Sequence, residues 1–278
     1  MRRKDKVRLF YFLFILIILF LIYLLIPIYN YYSKKKLEGF EGEFKLENSP
    51  NAIVIVEPRA HKLLESVIDN FDEFMDKSWD LYVFHGKSHK DYAKNATIKI
   101  KGRRVYLLPL ETDNLTADEY NALFRQTDFW NRINSENILI FQTDTLICKD
   151  SQKKINDFMK FDYIGCGIDN KLIGPNSYWG PTAFYGVGGL SFRKKRFMIE
   201  CINKNKDNTL PEDMLFSKCV QDFSKNKPSV DDLNYFCTQN KYVKNSFGIH
   251  KTHVMLTDKE NKEKLYSYCP IAKQLEGS

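Results

Sequence analysis

The chain has 278 residues, 44% of them hydrophobic, which is enough for a proper core and argues against wholesale disorder. The formal net charge is +7, but residues 1–36 hold eight basic residues and one acid, leaving 34 of the 42 basic and 34 of the 35 acidic residues in the rest. The excess is local, so the domain lacks the basic surplus that a nucleic-acid partner would call for.

Residues 9–28 carry no charge and are mostly Leu, Ile and Phe. As a helix this run spans about 30 Å, the thickness of a bilayer's hydrocarbon core. Tyr29, Tyr31 and Tyr32 add an aromatic belt, so we expect a membrane anchor over residues 9–32. A cleaved signal peptide has an apolar run of only about 7–15 residues followed by small side chains. Here the run is longer, and Tyr and Lys follow it. Five basic residues precede the run and three follow. That bias predicts a cytoplasmic tail at residues 1–8 and a domain on the far side of the membrane, lumenal or otherwise extracytoplasmic. Residues 33–49 are polar, with Gly39 and Gly42, and read as a short stem.

The string Asn51-Ala52-Ile53-Val54-Ile55-Val56 predicts a first strand. Ala60, Leu63, Leu64, Val67, Ile68, Phe71, Phe74 and Met75 then recur at helical spacing. A second strand is expected over residues 79–84, a polar loop over 86–104 and a third strand over 105–108. This opening predicts a parallel sheet. Thr116 and Glu119 make a capping-box pattern ahead of Tyr120, Leu123, Phe124, Thr127, Trp130 and Ile133, an amphipathic helix.

Next comes Asn137-Ile138-Leu139-Ile140-Phe141, an apolar run that reads as a strand buried on both faces, followed by Gln142-Thr143-Asp144. Ligands of α/β sheets bind beyond the carboxyl ends of the strands, where Asp144 stands. A carboxylate there suits a cation that holds a phosphate, or serves as a solvated turn residue. Residues 155–161 predict a helix, residues 163–165 a short strand and residues 167–185 a Gly/Pro/aromatic loop. Gly186, Gly188 and Gly189 follow; such glycines allow a close approach or a bulge. A helix is expected over residues 197–202. Glu212 and Asp213 precede an apolar stretch, a place where acids also complement a helix dipole. Phe247-Gly248-Ile249-His250-Lys251-Thr252-His253 gathers two of the five histidines.

Taken in order, Phe129-Trp130, Leu139 to Asp144, Asp162 to Gly165, Gly188 to Ser191, Glu212-Asp213 and Phe247 to His250 resemble the strings of a family of uncharacterised glycosyltransferase-like domains. Through it the chain resembles the GT-A class of nucleotide-sugar glycosyltransferases. The resemblance covers residues 120 to 255 and implies a GT-A-like α/β fold over 50–278, with a mostly parallel sheet flanked by helices. It implies Asp144 and His250 as ligands of Mn²⁺ or Mg²⁺. Gln142 stands where the class usually carries a first acid, and so brings an oxygen without a charge. Gly188 and Gly189 resemble the glycine loop on the acceptor and donor sides. Glu212 and Asp213 resemble the acidic pair that includes the base for the acceptor hydroxyl.

These groups suit the reaction. A cation stabilises charge on the departing diphosphate, and a carboxylate makes an acceptor hydroxyl nucleophilic. The reading is a single-pass hexosyltransferase-like enzyme that takes a nucleotide-sugar donor and a glycan or protein acceptor. Its rival is a non-catalytic module of the same fold, binding a glycan or a partner at a membrane. An anchored phosphohydrolase would need acid and histidine clusters that are missing from the sequence.

The six cysteines form no CxxC pair, which argues against structural zinc. Their even count beyond an anchor permits disulfides, with Cys219 the expected partner in one. Asn95-Ala96-Thr97 and Asn114-Leu115-Thr116 are N-glycosylation sequons, as in a lumenal glycoprotein.

Overall fold

The computed structural model describes residues 49–168 and 184–276. The expected tail and anchor, nearly all of the stem and most of the loop over 167–185 lie outside the described residues. Among the described residues, no helix is long and apolar enough to cross a membrane.

Four parallel strands make the heart of the sheet: β1 (Asn51–Glu57), β2 (Asp80–His85), β3 (Val105–Pro109) and β4 (Asn137–Phe141). Ile53, Val54, Ile55, Leu139 and Ile140 are fully buried, as continuous apolar runs in a sheet covered on both faces should be. Each such side chain contributes roughly 1.5–3 kcal/mol relative to exposure. The short β5 (Thr145–Ile147) follows β4, and then come β6 (Tyr163–Cys166) and β7 (Val187–Lys194). β7 runs antiparallel to both β4 and β6, so the sheet order is β3-β2-β1-β4-β7-β6. The architecture is mixed α/β with a mostly parallel central sheet. β5 leaves this sheet and forms a second one with β8 (Cys237–Thr238) and β9 (Gly248–His250), in the order β5-β9-β8.

α1 (Leu64–Phe74) buries Leu64, Val67, Ile68 and Phe71, and the Phe71 ring stacks on Phe141 with centroids 4.1 Å apart. The side chain of Asn70 in α1 pairs with both the N–H and the carbonyl of Ile147, at 2.8 and 3.0 Å, which ties β5 to the helix. The stretch 86–104, expected as a loop, contains α2 (Lys90–Ala96). Its only buried residues are Ala93 and Ala96, too little apolar surface to give a periodic signal.

The helix expected through Ile133 is two helices, α3 (Ala117–Phe124) and α4 (Thr127–Asn131). Thr116 caps the first with the foreseen capping box. The break falls at Arg125 and Gln126, where Arg125 reaches out to the Leu210 carbonyl. The turn lets Trp130 donate its Nε1–H to the Phe124 carbonyl at 2.9 Å. The helix expected over 155–161 is only a 3₁₀ turn over Ile155–Asp157. Ile155, Phe158 and Phe161 stand three apart and bond in successive i to i+3 steps, so their spacing reflects turns of three residues.

The remaining helices are α5 (Lys195–Lys204), α6 (Glu212–Phe223), α7 (Val230–Phe236), α8 (Thr252–Met255) and α9 (Lys259–Tyr268). Disulfides join Cys148 to Cys269, Cys166 to Cys237 and Cys201 to Cys219. The last ties α5 to α6 and meets the expectation for Cys219. The first closes a separation of 121 residues, fastening the C-terminal segment beside β5. A cross-link of this kind typically contributes about 2–4 kcal/mol.

Candidate functional site

β4 delivers Gln142, Thr143 and Asp144 to the carboxyl edge of the sheet. The chain then turns at once: the Gln142 carbonyl accepts the Thr145 N–H at 3.1 Å and the Thr145 hydroxyl at 2.7 Å. This turn starts β5, and the antiparallel register of β5 on β9 sets Thr145 opposite His250. Two residues more than a hundred positions apart thereby meet, with His250 Nε2 3.6 Å from Asp144 Oδ1.

The imidazole is fixed from behind. Its Nδ1–H donates to Gln239 Oε1 at 2.9 Å, which leaves Nε2 with its lone pair. Burial holds the imidazole's pKa below its ordinary value, favouring the neutral form. Asp144 Oδ1 is buried and has no hydrogen-bond partner among the described residues. A carboxylate oxygen and a nitrogen lone pair that face each other with no proton between them are both acceptors. Such a pair fits a divalent cation, and its mixed oxygen and nitrogen set suits Mn²⁺ better than Mg²⁺. Among the described residues no group of three or more His, Cys, Asp or Glu could hold a metal, so the protein offers two strong ligands, with the Gln142 amide beside them.

Gly188 and Gly189 on β7 stand behind these side chains. A β-carbon at Gly189 would lie 2.2 Å from His250 Nε2 and 2.7 Å from Gln142 Oε1. One at Gly188 would lie 1.9 Å from Glu212 Oε1. The glycines therefore make room for the site's own side chains.

Glu212 opens α6, and its carboxylate is committed to Arg193, with contacts of 2.6 and 3.0 Å. Neither side chain is more than 4% exposed. The Phe124, Trp130, Tyr163 and Phe216 rings surround the guanidinium, which also donates to Ser191 Oγ and the Gly188 carbonyl. Asn121 Oδ1 accepts the Glu212 N–H at 3.0 Å and so fixes the start of the helix. Asp213, the next residue, is half-buried and makes no ion pair among the described residues. Burial first, and the adjacent Glu212 charge second, push its pKa up to about 7. Of the two acids, Asp213 is the one poised to exchange a proton near neutrality.

All seven residues singled out in the sequence line one cavity of about 590 Å³: Gln142, Asp144, Gly188, Gly189, Glu212, Asp213 and His250. That size suits a small-molecule ligand. A second cavity of about 180 Å³ opens off the ends of β1 and β4, lined by Glu57, Arg59 and Thr143 among others. The two share Leu115, Tyr120, Gln142 and Asp144. Sequence reasoning missed Arg193, Gln239 and Lys251, and read Tyr120 only as part of a helix face. Its place in the first turn of a helix capped by Thr116 was the one available signal for Tyr120. Gln239 carried none.

The fold and site together define an α/β protein with a cavity at the carboxyl edge of a mostly parallel sheet, lined by a carboxylate that faces an imidazole and by a second acid, Asp213. The chain belongs to the family described as "Protein of unknown function (DUF5672)", whose model matches residues 105–250 and so takes in every one of those seven residues. No curated protein matches the sequence. Among solved structures, it is similar to Core-mannan synthase A (CmsA/Ktr4) from Aspergillus fumigatus in its Mn/GDP form, at 10% identity over 65% of this chain and 74% of that one, with a TM-score of 0.42. It is similar to S. aureus TarS in complex with UDP, at 12% identity over 60% and 53%, with a TM-score of 0.43. The apo form of the glycosyltransferase GlyE from Streptococcus pneumoniae TIGR4 matches at 10% identity over 72% and 54%, with a TM-score of 0.46. The chain spans only about half the length of the TarS and GlyE chains. At such scores these likenesses are too distant to bear on what the cavity binds.

Proposed function

We propose that the protein is a membrane-anchored, metal-assisted glycosyltransferase that moves a sugar from a nucleotide-sugar donor to a glycan or protein acceptor. The observation that carries this reading is the Asp144–His250 pair of facing acceptors, which shares one cavity with the proton-exchanging Asp213. A divalent cation held by Asp144 Oδ1 and His250 Nε2 would neutralise charge on a departing diphosphate, a contribution of several kcal/mol. Gln239 keeps the imidazole in the tautomer that offers Nε2 to the cavity. Asp213 takes the proton of the acceptor hydroxyl as the new glycosidic bond forms, and Arg193, by engaging Glu212, holds the start of α6 so that Asp213 faces that hydroxyl. The smaller cavity off β1 leaves room for the far end of the donor.

The segment over 9–32, with its apolar run at 9–28, supplies the anchor in this reading. Three disulfides with no free cysteine among the described residues accord with a lumenal or extracytoplasmic domain, because such bonds persist in oxidising compartments.

Gln142, an amide where an acid would strengthen a metal site, favours the second reading, a binding module without catalysis. Donor hydrolysis separates the two. The full-length chain is incubated with a panel of nucleotide sugars and Mn²⁺, without acceptor, and release of the nucleoside diphosphate is followed. A transferase should hydrolyse one donor slowly, and Asp144→Ala should remove most of that activity. Binding of a donor that stays intact would establish the module instead.

A further inference from the structure

One cation of this cavity has no assigned task. Lys251 follows His250 directly, and both residues line the larger cavity. Along a regular strand they could not, because successive side chains point to opposite faces. The backbone resolves this by turning left-handed at Lys251, with φ 51° and ψ 28°. Among the described residues only Asn245 is another non-glycine with positive φ. Asn tolerates that region through its short polar side chain, whereas a lysine gains nothing locally from it. Strain of this kind persists where the surroundings hold it, and it clusters at ligand sites. Here the holding contact is visible: the Lys251 N–H donates to the Asp144 carbonyl at 2.9 Å, so the strained residue is tied to the residue whose carboxylate faces His250.

The charges around the cavity give the lysine a purpose. Arg59, which lines the smaller cavity, is already neutralised by Glu57 through contacts of 2.8 Å to each carboxylate oxygen. Arg193 is buried and spent on Glu212. Among the described residues Lys251 makes no ion pair, and it is the only lysine or arginine of these that lines the larger cavity. An anionic ligand entering there meets Asp144, and among the described residues of the cavity Lys251 is the cation that can answer it.

We propose that Lys251 is a phosphate-binding residue, a cation set by a left-handed backbone to meet the diphosphate of a nucleotide ligand from the side of β9. This rests on the glycosyltransferase reading and adds that part of the anion recognition belongs to the chain itself, independent of any metal.

The test measures binding of UDP, GDP and inorganic pyrophosphate to the full-length chain by titration calorimetry, with Mn²⁺ and with EDTA, and uses uridine and guanosine as uncharged controls. Lys251→Gly removes the charge but relieves the backbone, so it should fold at least as stably as the parent. It should bind the diphosphates about tenfold more weakly in either condition, as expected for losing one charged hydrogen bond, and leave nucleoside binding unchanged. Lys251→Arg should retain most of the affinity. If Lys251→Gly binds the diphosphates as the parent does, the lysine has no such role, while the transferase reading stands. If the parent binds none of the three probes in either condition, the transferase reading falls and takes this assignment with it.

Discussion

A β-carbon at Gly189 would sit 2.2 Å from Nε2 of His250. The imidazole occupies the space that every other residue type would fill, so β7 and β9 must be read together. Gly189→Ala should push His250 off its bond to Gln239 and destabilise the fold by about 1–3 kcal/mol, the usual effect of overpacking. We expect a lowered melting temperature and a loss of Mn²⁺-dependent nucleotide binding in the same variant. An alanine variant that binds the metal normally would show that the imidazole does not need this seat.

Arg193 and Glu212 are both almost wholly buried, so their partnership is costly to break. Removing one member of such a pair strands the other charge and costs about 3–5 kcal/mol. Arg193→Met and Glu212→Leu should each lose stability on that scale in urea unfolding. The double variant, which leaves no stranded charge, should recover much of the loss. Near-additive losses would mean that packing of the four rings, and not the charge pair, carries the effect.

These two relationships show what the sequence could and could not disclose. The apolar run at Asn137 to Phe141 announced its strand because five successive apolar residues need a sheet covered on both sides. The Thr116–Glu119 cap was equally plain because its chemistry is local. The mixed α/β class with a mostly parallel sheet, and the sharing of one cavity by the acids, the glycines and His250, follow from such signals together with the family resemblance. The Asp144–His250 contact did not follow from local pattern, since it depends on β5 leaving the main sheet to pair with β9. Nothing local to Arg193 marks it for burial, and it is a carboxylate arriving from α6 that makes its burial tolerable. The glycines allow a close approach or a bulge as far as the sequence goes, and the structure adds that a β-carbon at either would meet the Glu212 or His250 side chain. The short α2 escaped notice because two alanines are all the apolar surface it buries.

Asp213 gives a pH test with a definite sign. Its carboxyl is raised from 3.8 to about 7 in the fold, so between those values the folded chain keeps a proton that the unfolded chain has released. The resulting stabilisation is fully present at the acid end of this window and falls away as pH rises through about 7. Asp213→Asn cannot ionise, so it should gain in stability relative to the parent at pH 8 compared with pH 5, as measured by urea unfolding at both. Activity should run the other way. A base works only when ionised, so the parent's rate should climb to a plateau above pH 7, and Asp213→Asn should lower it by about 10²–10⁴-fold with donor binding kept. A loss below tenfold would return the acid to a helix-terminal role.

The pairing of Asp144 with His250 makes the last prediction. With Gln142 in place of an acid, the chain presents one carboxylate oxygen and one imidazole nitrogen to a cation, and the rest of the coordination must come from the ligand's phosphate oxygens or water. Metal binding should therefore be weak for the protein alone and strong in the presence of a nucleoside diphosphate, and Mn²⁺ should be favoured over Mg²⁺ because imidazole suits the transition metal. Asp144→Ala and His250→Ala should each remove most of the metal-dependent activity. The double variant should lose little more than either single one, because groups that act as a unit are not additive. Gln239→Leu, which frees the far nitrogen of the imidazole, should weaken Mn²⁺ binding by about 10–100-fold without touching either ligand. Calorimetric titration of Mn²⁺ and of Mg²⁺, with and without UDP, together with the rate of donor hydrolysis, across the parent and these four variants, checks these expectations. Equal nucleotide affinity with and without metal in the parent would dismiss the site, and a His250→Ala variant with intact Mn²⁺ affinity would leave Asp144 acting alone.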